Sequence, residues 1–351
     1  TPGTLTEEGL LNENRNNFLL SFVKTSDSFS VAWTDLSTGQ LYCSTADEEN
    51  LLSLLNRISP TEILVLDSDV KSLSSFNLDK NITVSPLPIQ NFDPILGKRR
   101  LEEFFNVKSL SSFGNFNDAE VSSMAALLSY LEITQCTNII PLNTPIKETN
   151  SVYLRIDASS RQSLEITKTV NGQITGSLFG AIDKTLTSGG SRLLQDHLNC
   201  PSIDLHDIKG KQNILSFFIE NQSLMAECRD ILRQTPDMQR SLSRIGLKRG
   251  KPKDLSIIRE CLRSIDVIHR ILKKHKMPSL LLKFSSKFNN FKNLLDSLNA
   301  ALVENLSPLK KGEEIVCSNY SAELSELRRI KSESQTLIIN LQAKYIQETN
   351  V

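Results

Sequence analysis

The stretch Asn17 to Ser44, NFLLSFVKTSDSFSVAWTDLSTGQLYCS, decides the amino-terminal fold. Three runs rich in β-branched, aromatic and aliphatic residues, Asn17 to Val23, Phe29 to Thr34 and Gln40 to Ser44, are separated by Lys24 to Asp27 and Leu36 to Gly39, which have turn chemistry. Connections this short join antiparallel neighbours, so the reading is a three-stranded meander. Working outward, Glu48 to Arg57 spaces its apolar residues as a helix does. Glu62 to Leu66 (EILVL) is an unbroken apolar run, the mark of a strand covered on both faces. Asp93 to Phe105 and Asp118 to Leu131 read as helices, the second with Asp118 as N-cap and Val121, Met124, Leu127 and Leu128 as apolar positions. Asn138 to Thr149, with Pro141 and Pro145, is the expected linker out of this α/β region.

Past a short run at Val152 to Ile156, the pattern is helical almost to Val351. Asp204 is the expected N-cap of a core helix carrying Leu205, Ile208, Leu215 and Ile219 on one face. Further helices are expected at Gln222 to Arg233, Leu255 to Lys274, Ser279 to Phe288 and Leu294 to Asn305. Tyr320 to Thr349 contains no Pro or Gly, and a helix of about 30 residues is roughly 45 Å long. Its apolar stripe of Tyr320, Leu324, Leu327, Ile338, Leu341 and Tyr345, broken by Lys331 and Ser334, asks for a partner. The fold class is therefore α/β followed by an all-α bundle or lever.

Lys plus Arg equals Asp plus Glu at 40 each, so no net field draws the molecule to a polyanion or an anionic membrane, and any such contact must come from local patches. Six cysteines with no CxxC pair fit reduced thiols and a cytoplasmic setting. No apolar run approaches the roughly 18 to 20 residues that cross a bilayer, and Thr1-Pro2-Gly3-Thr4 lacks the features of a signal peptide, so no membrane partner is expected. Lacking an initiator Met, the chain is expected to begin partway along a longer protein.

No reacting centre emerges. The P-loop pattern G-x-x-x-x-G-K-S/T is absent, and Gly172, Gly176 and Gly180 read as a loop entering a helix. His197, His206, His269 and His275 form no ligand pair at helical spacing, and G-x-S-x-G is missing. No catalytic, cofactor-binding or metal residue is therefore expected. The enzymatic alternative is an RNase H-like, metal-dependent nuclease using Asp35 at a strand end. Two-metal chemistry needs several carboxylates, and neither Glu62 nor Asp67 has an evident third companion. Two basic clusters remain: Arg240, Arg244, Lys248, Arg249, Lys251 and Lys253, and then Lys273, Lys274, His275 and Lys276. Arg244, Lys248, Arg249, Lys251 and Lys253 are the candidate phosphate-contact patch. A solvated helix corner is the alternative, since no aromatic residues interleave for base stacking.

Four stretches, in order, resemble the MutS mismatch-repair family. Thr1-Pro2-Gly3-Thr4 with Asn16-Asn17-Phe18-Leu19 resembles the start of its connector domain. Ile156-Asp157-Ala158, Ser160-Arg161 and Leu164-Glu165-Ile166 resemble the start of its core domain. The most specific match is Ser177-Leu178 to Asp183, with Thr185, Thr187, Gly190-Ser191-Arg192, Leu194, Leu198 and Pro201. Asp237, Arg240, Arg244, Pro252, Asp254 and Leu255 resemble a later helix pair, and Tyr320, Glu323-Leu324 and Leu327-Arg328 the helix climbing toward the clamp. His197 and Gln239 depart from the residues many relatives carry, Trp and Glu, as packing or surface changes.

The resemblance implies an RNase H-like connector at 1–140, a helical core at 141–318 and a truncated ascending lever at 319–351. It implies a central fragment without catalysis of its own, coupling mismatched double-stranded DNA to an ATPase elsewhere in the full-length protein, where ATP and Mg would bind. MutL is the implied partner, with Lys98, Arg99 and Arg100 as the candidate docking residues, and homodimerisation would run through the missing ATPase domain. The implied setting is the bacterial cytoplasm, at the nucleoid. Phe218-Ile219-Glu220 has the letters of the family's mismatch-reading Phe-x-Glu but lies in an expected core helix and is rejected. A relative acting in recombination control is the alternative role.

Overall fold

In a computed structural model describing residues 1–7, 9–74, 82–135, 142–148, 153–304 and 315–349, the meander forms as expected: β1 (Leu19–Lys24), β2 (Phe29–Asp35) and β3 (Gln40–Ala46) are antiparallel, with Phe22 opposite Val31 and Trp33 opposite Tyr42. β4 (Glu62–Leu66) runs parallel to β1. Two further strands, β5 (Thr83–Leu87) and β6 (Ile146–Lys147), give the order β5-β4-β1-β2-β3-β6. β5 escaped the sequence reading because Pro86 interrupts it, which an edge strand tolerates. β6 lies within the expected linker and pairs with β3, while positions 138–141 and 149 of that linker, like Val152 of the next run, lie outside the described residues.

Successive strand residues point to opposite faces, and here both faces are covered, so the strands read as continuous apolar runs. Leu19, Ala32, Leu41 and Leu64 face helices Pro94–Phe104 and Asp118–Gln135 with Met124, Leu127 and Leu131. Leu20, Val31, Trp33 and Ile63 face helix Glu48–Ile58 with Leu51 and Leu55. Asp118 is not the N-cap of its helix. Asn117 is, accepting the Glu120 N–H on Oδ1 at 2.8 Å, while Glu120 accepts the Asn117 N–H at 2.9 Å, a reciprocal capping box.

Helices Ser188–Asn199, Leu205–Glu220, Gln222–Arg233, Met238–Gly246, Pro252–Leu272 and Ser279–Ser285 follow. The glycine loop is a loop entering a helix: Gly172 and Gly176 have φ of 77° and 99°, and Ser177 caps Leu178–Ile182. Asp204 caps its helix through the His206 N–H at 2.8 Å. The expected core face of that helix is corrected, because Leu205, Leu215 and Ile219 are 62%, 62% and 58% exposed. Its buried residue is Phe217, turned toward Leu224, Cys228, Ile271 and Leu272 of the neighbouring helices.

Packing divides the chain into Thr1–Lys287 and Phe288–Val351. Within the second unit, helix Lys292–Ala301 leads to a bridge between Leu302 and Val316, and Arg328 of helix Ala322–Thr349 donates to the Val316 carbonyl at 3.0 Å. That 28-residue helix begins two residues after the expected Tyr320, and the expected helix end at Asn305 lies outside the described residues. Its stripe residues Leu327, Ile338, Leu341 and Tyr345 are exposed. Among the described residues, no helix is long and apolar enough to cross a membrane.

Candidate functional site

The chemistry of the first unit concentrates where the sheet module meets the helices, and it is chemistry of attachment. The segment leading into β1 is held by two arginines from different helices. Arg192, in Ser188–Asn199, donates to the Glu13 carbonyl at 2.8 Å and to Asp237 Oδ2 at 2.7 Å. Arg240, in Met238–Gly246, donates to the Arg15 carbonyl at 2.7 Å. Both arginines are buried, so their charges need partners there. Burial would raise the Asp237 carboxyl, but the Arg192 hydrogen bond and the two guanidinium charges outweigh it and hold Asp237 below its ordinary value.

A second attachment lies across the sheet at the end of helix Glu48–Ile58. Arg57 stacks over Trp33 at 5.7 Å, donates to Glu148 Oε2 at 2.5 Å and contacts the Cys200 sulfur at 2.6 Å. Burial disfavours the Arg57 charge, and Glu148 more than compensates, so the guanidinium stays ionised. Nearby, Ser53 donates to the Ile156 carbonyl at 2.7 Å. Between these attachments lies a cavity of about 770 Å³ whose walls include Trp33, Tyr42, Arg57, Tyr153, Asp196 and Cys200. Asn16 donates to Asp196 at 3.2 Å, yet desolvation at the cavity wall pushes that carboxyl up to about 6. A third attachment is Leu247, which is 2% exposed and belongs to the apolar cluster of the sheet.

The Asp35 and Glu62 carboxylates are both engaged by donors within the fold. Asp35 Oδ2 accepts the Asn17 N–H at 2.9 Å, and Oδ1 accepts the Ser37 N–H and hydroxyl at 2.8 and 2.6 Å. Burial raises the Asp35 carboxyl, and these donors act against that rise. Glu62 is occupied likewise, by Tyr130 and Ser85 hydroxyls at 2.5 and 2.7 Å and the Gly3 N–H at 2.9 Å. Among the described residues, no three His, Cys, Asp or Glu side chains gather as metal ligands.

The candidate phosphate patch comes together only in part. Arg244 is buried and bound to Asp254, with Nε 2.9 Å from Oδ1, so it is no surface cation. A guanidinium committed to a buried carboxylate cannot turn outward without leaving that charge unpaired. Lys248, Arg249, Lys251 and Lys253 are exposed together on the corner between two helices. Lys98, Arg99 and Arg100 are exposed on helix Pro94–Phe104, with Arg100 hydrogen-bonded to Ser129 and 3.8 Å from Glu132. Phe218-Ile219-Glu220 closes helix Leu205–Glu220, where Ile219 is exposed rather than part of a core face. Arg57 and Glu148 were not legible as functional residues: 91 residues separate them, and neither belongs to a local pattern.

The α/β module is thus pinned by buried guanidiniums to a helical module within one compact unit. Residues 17–143 match MutS domain II and residues 159–349 match MutS domain III. A DNA mismatch repair protein MutS of Ruegeria pomeroyi is 36% identical over 352 residues, covering 100% of this chain and 40% of the relative. Another, of Bartonella tribocorum, is 38% identical over 359 residues, covering 100% of this chain and 39% of the relative. The chain belongs to the MutS family. It spans about 40% of the length of the curated relatives it matches.

Proposed function

We propose that this chain is the mechanical link of a protein that recognises mismatched double-stranded DNA, passing the state of the DNA-reading part to an ATPase part. The observation that carries the proposal is the joint: Arg57, Arg192 and Arg240 tie the sheet module to the helices within one compact unit. Coupling between distant sites needs a packed element whose arrangement both sites can bias. ATP and Mg²⁺ would be held elsewhere in the full-length protein, since this chain has no phosphate-cradling motif. The homodimer would form through that ATPase part, in the bacterial cytoplasm at the nucleoid. MutL would dock on the sheet module at Lys98, Arg99 and Arg100, where the exposed Ile95 and Leu96 on the same helix add apolar area beside the charges.

The test is Arg57→Met in the full-length protein, which keeps an apolar stem over Trp33 and removes the bonds to Glu148 and Cys200. Mismatched-duplex affinity should stay within about twofold, while stimulation of ATP turnover by that duplex falls severalfold, a coupling change on the order of 1 kcal/mol. Unchanged stimulation would remove the joint from the coupling path.

A further inference from the structure

The corner between helices Met238–Gly246 and Pro252–Leu272 carries four exposed cations in six residues, Lys248, Arg249, Lys251 and Lys253. It contains no acidic residue. The nearest in sequence, Asp254, is taken up by Arg244 at 2.9 Å and by the Lys251 N–H at 2.7 Å. In a chain with 40 positive and 40 negative side chains, this is a local positive field.

The backbone beneath these cations is anchored on both sides. Lys248 takes the left-handed conformation, φ 57°, which a non-glycine residue adopts only when its surroundings hold it there. Hydrogen bonds from the Lys248 and Arg249 N–H groups to the Ile245 and Arg244 carbonyls, both 2.9 Å, close the turn. A side chain at Gly250 would meet Ile245 at 2.6 Å, so the chain passes closer than any other residue allows. Leu247 is sunk in the apolar cluster of the sheet, and Arg249 donates to the Gln135 carbonyl at 3.5 Å. The corner is thus fixed to both modules at once. Lys248 and Lys251 are in no ion pair among the described residues.

We infer that this corner meets the phosphate backbone of duplex DNA, a contact that rests on the duplex-binding reading above. The chemistry favours phosphates over bases, because fixed cations without interleaved aromatics give affinity that is independent of sequence. The second basic cluster, Lys273, Lys274 and Lys276, follows the other end of the same 21-residue helix, where cations already complement the helix dipole. It serves as the internal control.

The experiment measures binding of the full-length protein to matched and mismatched duplexes across a salt series. Each phosphate contact contributes about 0.9 to the slope of log affinity against log salt. Lys248→Gln with Lys251→Gln should therefore lower the slope by about 1.8 and weaken both duplexes by the same factor. Arg249 is left in place because it also touches the connector. Lys273→Gln with Lys274→Gln should leave the slope unchanged, and matching melting curves establish that both variants fold. An unchanged slope in the corner variant overturns the inference and leaves the corner to an acidic protein segment. Equal losses in both variants overturn it too, as a general charge effect. Absence of duplex binding by the unaltered protein removes the mismatch-recognition reading itself.

Discussion

The sheet module and the helices that follow it are both parts of one compact unit, yet they are held together by different physics. The sheet buries apolar side chains on two faces, with Leu19, Leu20, Ile63 and Leu64 fully enclosed. The helices leave Leu205, Leu215 and Ile219 in water and, beside the apolar cluster of Phe217, Leu224, Ile271 and Leu272, also bury Arg192, Arg240, Arg244 and Arg259. Apolar burial is non-directional and tolerates small shifts of geometry, whereas a buried guanidinium demands its partner at a fixed place. A module of the second kind is stable in one arrangement of its charges and loses heavily in another.

The largest effect expected from this contrast is in the sheet. Leu64→Ala should lower unfolding free energy by about 4 kcal/mol, because it removes a fully enclosed side chain and leaves a cavity. Leu215→Ala, the same substitution on the exposed helix face, should stay within about 0.5 kcal/mol. Denaturant melts of the two variants break the comparison if their losses are equal. Next in size is the buried pair. Asp254→Ala strands the Arg244 guanidinium and should cost about 3 kcal/mol, while Arg244→Met combined with Asp254→Leu should recover most of that loss. If the double variant is as unstable as the single one, the helices depend on that ion pair for more than charge compensation.

The contrast also explains what could be read from sequence. β1 to β4 were legible because a sheet covered on both faces writes itself as uninterrupted apolar runs between turn residues, as EILVL at Glu62 to Leu66 does. Helix Asp118–Gln135 was found in place, but its cap was misassigned by one residue: Asn117 and Asp118 are both good caps, and only the reciprocal bond from Glu120 chooses between them. The buried face of Leu205–Glu220 was misread because helical spacing identifies a stripe without saying which stripe meets neighbours, and Phe217 met them. At the joint the failure is more basic. Arg192 reaches Glu13 across 179 residues, and Arg57 reaches Cys200 across 143. No local period encodes such pairs, so a buried arginine looks the same in sequence as a solvated one.

The smallest expected effect sets one carboxyl of the sheet against one at the joint by the sign of its pH dependence. In the sheet, burial would raise Glu62, but the Tyr130, Ser85 and Gly3 donors outweigh it and lower the carboxyl below 4.5. Its contribution is therefore present above that value and is lost as pH falls through the folded pKa. At the joint, Asp196 is raised from 3.8 to about 6, so between those values the folded chain holds a proton that the unfolded chain has released. Stability from this group falls as pH rises through that window. Asp196→Asn should remove the fall, making the variant less pH-dependent than the unaltered protein between about pH 4 and pH 6, by no more than about 1 kcal/mol because the side chain stays open to water. Urea midpoints measured across that range decide the matter: parallel curves for the two proteins would show that Asp196 ionises normally despite its place in the cavity wall. Converging curves would instead mark the joint as the part of the unit whose fit loosens once its carboxylate is charged.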